Sequence, residues 1–225
     1  MRPLILAVLI ASCAPVRSID YAPGDVVPAE AVSESMFYCV EVPDSVARRM
    51  KGLSYKDDCT VPLSELRYLH VLHMDIDGNV KVGEMVCNKA IAEDLIYIFK
   101  ELLRFSYPIE RMVLVDDYGA DDERSMTANN SSCFNFRFIS GTSKVSVHGM
   151  GMAVDINPLY NPYLKVKDGK RIVEPAGAGA YTDRSRDFKY KIEPGDVCCR
   201  LFRERGFEWG GDWKSVKDWQ HFEKH

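Results

Sequence analysis

Ser146-Val-His148-Gly149-Met-Gly151-Met-Ala153-Val-Asp155 sets a histidine and an aspartate on either side of two closely spaced glycines. Such glycines argue against a helix and for a bent strand or a strand entry, where backbone runs close to another group. A second stretch, Lys217-Asp218-Trp219-Gln220-His221, puts a carboxylate three residues before a histidine. His148, Asp155 and His221 make a three-ligand set with a fourth position open. Catalytic zinc sites have that composition, because the open position takes a water whose pKa falls to about 7. Asp218 then stands outside the ligand set, able to take a proton from that water and pass it to a leaving amine. Isolated histidines and Asp-x-x-His pairs also occur on ordinary surfaces, so the spacing alone leaves both readings open.

Outward from these stretches, the patterning predicts a mixed chain. Val61–Asp77 carries strand-like runs that end in Asp77-Gly78-Asn79, a hairpin-type turn. From Asn88 to Phe105, apolar residues recur every three and four positions (Ile91, Leu95, Ile98, Phe99, Leu102, Leu103). That predicts a helix with Asn88 as its cap and Pro108 as its stop. Further strands are expected at 36–42, at 112–115, at 134–138 and at 153–156. Residues 119–132 are polar and read as a surface loop. Residues 158–182, rich in Pro, Tyr, Gly and Ala, read as a long loop. A short helix is expected at 196–205, ended by Gly206.

The 225 residues are 46% hydrophobic with a net charge of −4, which excludes a disordered chain and gives no electrostatic footprint for nucleic acid. Residues 1–12 hold one Arg, a short apolar run and small residues before Cys13, the pattern of a secretory leader. Ile10-Ala11-Ser12-Cys13 resembles a bacterial lipobox, which makes Cys13 the acylated first residue of the mature chain. The expected order is leader 1–12, tether 13–42 and a catalytic domain over 43–225. Export leaves Cys39, Cys59, Cys87, Cys133, Cys198 and Cys199 as candidates for disulfides whose pairing the sequence does not choose.

Ser146-x-His148-x-x-Gly151-x-Ala153-x-Asp155 resembles the signature of the zinc D-alanyl-D-alanine carboxypeptidase family, with all five fixed positions matched. Asp218 and His221 match its second motif. Trp209-Gly-Gly-Asp-Trp213, Asn129-Asn130, Phe134-Asn135-x-Arg137 and Asp155–Pro162 also look like segments of that family. The similarity runs from about residue 43 to the end and is most specific over 125–225.

This resemblance implies an α+β fold, a small antiparallel sheet flanked by helices, shared with the Hedgehog signalling domain. It implies Zn²⁺ held by His148, Asp155 and His221, Asp218 as general base, and peptidoglycan stem peptides as substrate in the bacterial cell envelope. Membrane contact would come only through the lipid on Cys13. A D-alanyl-D-alanine carboxypeptidase is the favoured activity. Many relatives carry Glu where this chain has Asp218, and Asp occurs in the branch resembling phage L-alanyl-D-glutamate endopeptidases. The scissile bond therefore stays open, as does a metal-binding wall module without catalysis. Arg137 is expected to aim at a carboxylate or a developing oxyanion. Ser146 is expected near the metal or in the turn before it. Trp213 and Trp219 are expected as cleft walls or as core, and Tyr160 and Tyr163 as substrate contacts. His70 and His73 read as structural, and His225 as a weak competitor for metal.

Overall fold

A computed structural model describes residues 21–139 and 141–225; the leader and Cys13 lie outside the described residues. The architecture is α+β. Its helices pack on small antiparallel sheets, three of them among the described residues, each of three strands.

The first sheet runs β1 (Tyr38–Glu41), β2 (Leu66–Met74) and β3 (Val80–Asn88) in that order. The expected turn between β2 and β3 is present. Gly78 takes a positive φ of 84°, and Asp75 Oδ1 accepts from the amides of Asp77 and Asn79 at 3.0 and 2.9 Å. Lys81 Nζ lies 2.7 Å from Asp75 Oδ2. Burial opposes ionisation of Asp75, but these partners hold its carboxyl down at about 2.

Two helices complete the core. α2 (Ala92–Arg104) lies on this sheet with Leu95, Ile98, Phe99 and Leu102 buried, as the periodicity requires. It starts later than expected. Asn88 closes β3, where its side chain bonds Ala90 N and Met150 O, and Ile91 takes the cap position without a side-chain acceptor. α4 (Val197–Glu204) packs against α2. Its first turn is capped by Asp196, which accepts from Cys199 N at 2.8 Å, and Gly206 at φ 82° follows it. Phe202 stacks on Phe222 with centroids 4.1 Å apart.

Residues 21–42 do not stand clear of the domain: Val27 is buried and bonds Val80 O, and β1 pairs with β2. A boundary at 43 thus falls within one hydrogen-bonded unit, between β1 and α1 (Asp44–Met50).

Several local expectations are corrected. Residues 112–115 form no strand, because Val113 N goes to Asn130 Oδ1 and Leu114 N to Glu84 Oε1 instead of a neighbouring strand. Residues 134–138 form none either. The amides of Phe134, Asn135 and Phe136 bond to Val86, His148 and Ser54, three different segments. The polar run 119–132 contains α3 (Asp122–Thr127), capped by Asp121, and its Asn129, Asn130 and Ser131 are buried. Their side chains tie surrounding loops together, Asn130 to Val113 and Asn129 to Leu159. The supposed long loop 158–182 holds a hairpin, β5 (Tyr163–Lys167) and β6 (Lys170–Glu174), turned by Asp168 and Gly169, both at positive φ.

The expected disulfides are absent from the described residues: Cys39, Cys59, Cys87, Cys133, Cys198 and Cys199 are all thiols. Several have other partners. Cys39 donates to Glu93 and Cys133 to Gly151 O, while Cys198 and Cys199 are buried in α4.

The remaining strands are β4 (Ala153–Asp155), β7 (Glu208–Trp209), β8 (Lys217–Asp218) and β9 (His221–Glu223). The second sheet has the order β4-β9-β7 and the third β6-β5-β8.

Candidate metal centre

The register of β4 and β9 pairs Asp155 directly with His221. Residues opposite each other in an antiparallel pair share a face, so two candidate ligands far apart in sequence become neighbours. The third arrives from a single 3₁₀ turn, His148–Met150, just before β4. Of the bent strand or strand entry expected over 146–155, the structure shows a turn that leads into β4, and Ser146 Oγ holds that turn by accepting from Gly149 N at 2.9 Å.

The glycines are needed for close approach. A Cβ on Gly149 would lie 2.8 Å from Arg137 O, and one on Gly151 would lie 2.7 Å from Asn88 N at a φ of 70°. The turn is thereby pressed onto the end of β3.

The donor atoms converge. His148 Nε2 lies 3.3 Å from Asp155 Oδ2 and 3.1 Å from His221 Nδ1, and His221 Nδ1 lies 3.1 Å from Asp155 Oδ1. Tetrahedral zinc with ligands at 2.0–2.1 Å has edges of about 3.3 Å, so the spacing fits the ion. Outer partners set the tautomers. Cys133 O can only accept, so His148 Nδ1 donates to it at 2.7 Å and leaves Nε2 as a lone pair. Glu223 Oε2 does the same for His221 Nε2 at 3.1 Å. Once His221 gives up its second proton, both imidazoles and the carboxylate direct lone pairs at one point.

The electrostatics agree. Burial opposes ionisation of Asp155, yet the neighbouring histidines hold its carboxyl well below the usual range. Burial would also lower His221, but Asp155 and Glu223 push it up to about 10. Both shifts favour positive charge between these groups.

A cleft of about 270 Å³ opens over the three donors and is also lined by Asp122, Arg137, Tyr163, Glu174, Asp218 and Gln220. A larger hollow of about 510 Å³ beside Lys81 and Arg111 shares none of these residues. Asp218 sits on β8, in register with Tyr163 of β5. Its Oδ1 is covered and has no hydrogen-bond partner among the described residues. Burial pushes its pKa up to about 7; His221 opposes the shift and the Asp155 and Glu174 charges add to it. Gly210 makes room for this strand, since a Cβ there would meet Asp218 O at 2.6 Å.

The other predicted residues divide. Arg137 lines the cleft with Nε 3.1 Å from Asp122 Oδ2. Ser146 holds the turn beneath His148 and does not line the cleft. Trp219 lies in the core with the Arg184 guanidinium 4.9 Å from its ring. Tyr160 is buried against Tyr181 and Tyr190, with its neighbour Tyr163 facing the cleft in its place. Trp213 lies 5.4 Å from the His221 ring. His70 and His73 bond Met36 O and Ile109 O, as structural histidines do. His225 pairs with Glu223 at 3.2 Å. Sequence reasoning missed Glu223 and Glu174. The alternation of β9 puts Glu223 on the same face as His221, and Asp168-Gly169 was the available signal for the hairpin that carries Glu174.

Residues 140–224 match the model of a family described as D-alanyl-D-alanine carboxypeptidase. No curated protein and no solved structure matches the chain. The matched span contains His148, Asp155, Asp218 and His221, while Arg137 lies just before it. Over residues 140–224, the chain is thus similar to this peptidase family.

Proposed function

We propose that the chain is a zinc peptidase of the bacterial cell envelope that hydrolyses stem peptides, favoured as a D-alanyl-D-alanine carboxypeptidase. The observation that carries this is the convergence of His148, Asp155 and His221 beside the Asp218 carboxyl, whose Oδ1 has no partner among the described residues, in one cleft. Zn²⁺ would be held by His148, Asp155 and His221 and would supply Lewis acidity and a water of lowered pKa. Asp218 accepts the proton as the water oxygen attacks the amide carbonyl carbon. It returns that proton to the nitrogen as the C–N bond breaks, releasing a carboxylate and an amine. A carboxyl whose hold on a proton is strengthened by burial is suited to take that proton and return it. Arg137, at the cleft wall, is placed to hold the developing oxyanion or a substrate carboxylate. Cys133 O and Glu223 keep the imidazoles in the ligating tautomer. A Hedgehog-like fold, the leader at 1–12 and lipidation of Cys13 belong to the same reading.

One observation favours a second reading, endopeptidase action within the stem. The Arg137 guanidinium is already matched by Asp122, which weakens its claim on a terminal carboxylate. Digestion of purified muropeptides followed by mass spectrometry separates the two. Loss of a single terminal alanine supports the carboxypeptidase, an internal cut supports the endopeptidase, and intact muropeptides with zinc-loaded protein refute both.

A further inference from the structure

We propose that Glu174 selects substrates carrying a free ammonium group beside the scissile amide, a preference that rests on the peptidase reading above. Glu174 ends β6, and Tyr163 of β5 is in register with Glu174 on one side and Asp218 on the other. Residues paired directly across strands share a face. One face of the third sheet therefore presents a carboxyl, a phenol and a carboxyl in a row, and all three line the cleft.

The position is braced. Pro175 is buried, and Ala176 N donates to Glu123 Oε1 of α3 at 2.7 Å. Glu174 is exposed, and its side chain makes no hydrogen bond or ion pair with any described residue. The other cleft acids are engaged. Asp122 takes Arg137 and Asn135, Asp155 takes both imidazoles, and Asp218 is assigned to proton transfer.

Four carboxyls line the cleft against one guanidinium. The unengaged carboxyl is Glu174. An ammonium, with three donors and no acceptor, is the group that suits a lone carboxylate beside a phenol oxygen. A substrate carboxylate approaching the same wall would be repelled.

The test uses the zinc-loaded full-length protein and pairs of peptides that differ only in bearing lysine or Nε-acetyl-lysine beside the cleaved bond. Partly exposed ion pairs support a preference of about fivefold in kcat/KM for the free amine, carried by KM and weakened by salt. Glu174→Gln should bring the ratio to about one, and Glu174→Asp should retain part of it. Equal cleavage of both peptides by the wild type, or an unchanged preference in Glu174→Gln, overturns the selection by Glu174 and leaves the peptidase reading standing. Cleavage of neither peptide of any pair overturns both.

Discussion

The unit of β1–β3 with α2 and the cleft over β4, β8 and β9 are built on opposite principles. The first has two nine-residue strands and a thirteen-residue helix whose apolar positions follow regular periods. It supplies much of the core and none of the candidate ligands. The second has strands of two or three residues, a single 3₁₀ turn and glycines that admit close backbone approach. It carries all three candidate ligands and Asp218. Rigidity in the first comes from buried area. In the second it comes from backbone contacts onto the first, and the Gly151–Asn88 contact is where the two meet. Chemistry sits in the irregular part because ligands from separate segments must converge there.

The largest expected effect lies at the cleft alone. Asp218→Asn should retain the metal, measured by elemental analysis, and lower turnover on muropeptides by about 10²–10⁴-fold. Near-wild-type turnover would remove Asp218 from the mechanism. The core should show the reverse pattern. Phe202→Ala, which deletes the stack on Phe222, should cost about 3–5 kcal/mol in denaturant unfolding. Its folded fraction should still bind metal.

Gly151→Ala sharpens the comparison at the junction. The left-handed φ and the 2.7 Å approach to Asn88 N predict a loss of about 1–3 kcal/mol. Metal affinity should fall with it, because the turn carries His148. A loss of stability without loss of metal affinity would show that the two regions are independent.

A pH-dependent effect belongs to the sheet alone. Burial lowers the His73 pKa from 6.5 to about 4, with Lys81 assisting. Between those values the unfolded chain binds a proton that the folded chain refuses, so stability falls on acidification, by up to about 1.4 kcal/mol per pH unit. Thermal melts from pH 7 to 4.5 should drop more steeply in the wild type than in His73→Gln. Parallel profiles would show that His73 does not set the slope.

The two regions also differ in what the sequence reveals. The period of α2 and the Asp77-Gly78-Asn79 turn followed from local chemistry alone. The site was legible only as a motif. Nothing in the spacing of His148, Asp155 and His221 dictates the β4–β9 register that joins them. Buried polar residues misled most. Asn129 and Asn130 read as surface because their work is to satisfy amides and carbonyls of distant segments. Tyr160 and Tyr163 share a loop in sequence, and only the hairpin decides which one faces the cleft.

The most direct test is elemental analysis of the purified protein beside its Asp155→Ala variant. About one zinc per wild-type chain, lost in the variant while the circular dichroism spectrum is retained, is the predicted result. A wild type without metal after zinc loading, or a variant that keeps it, would contradict a shared ion on His148, Asp155 and His221.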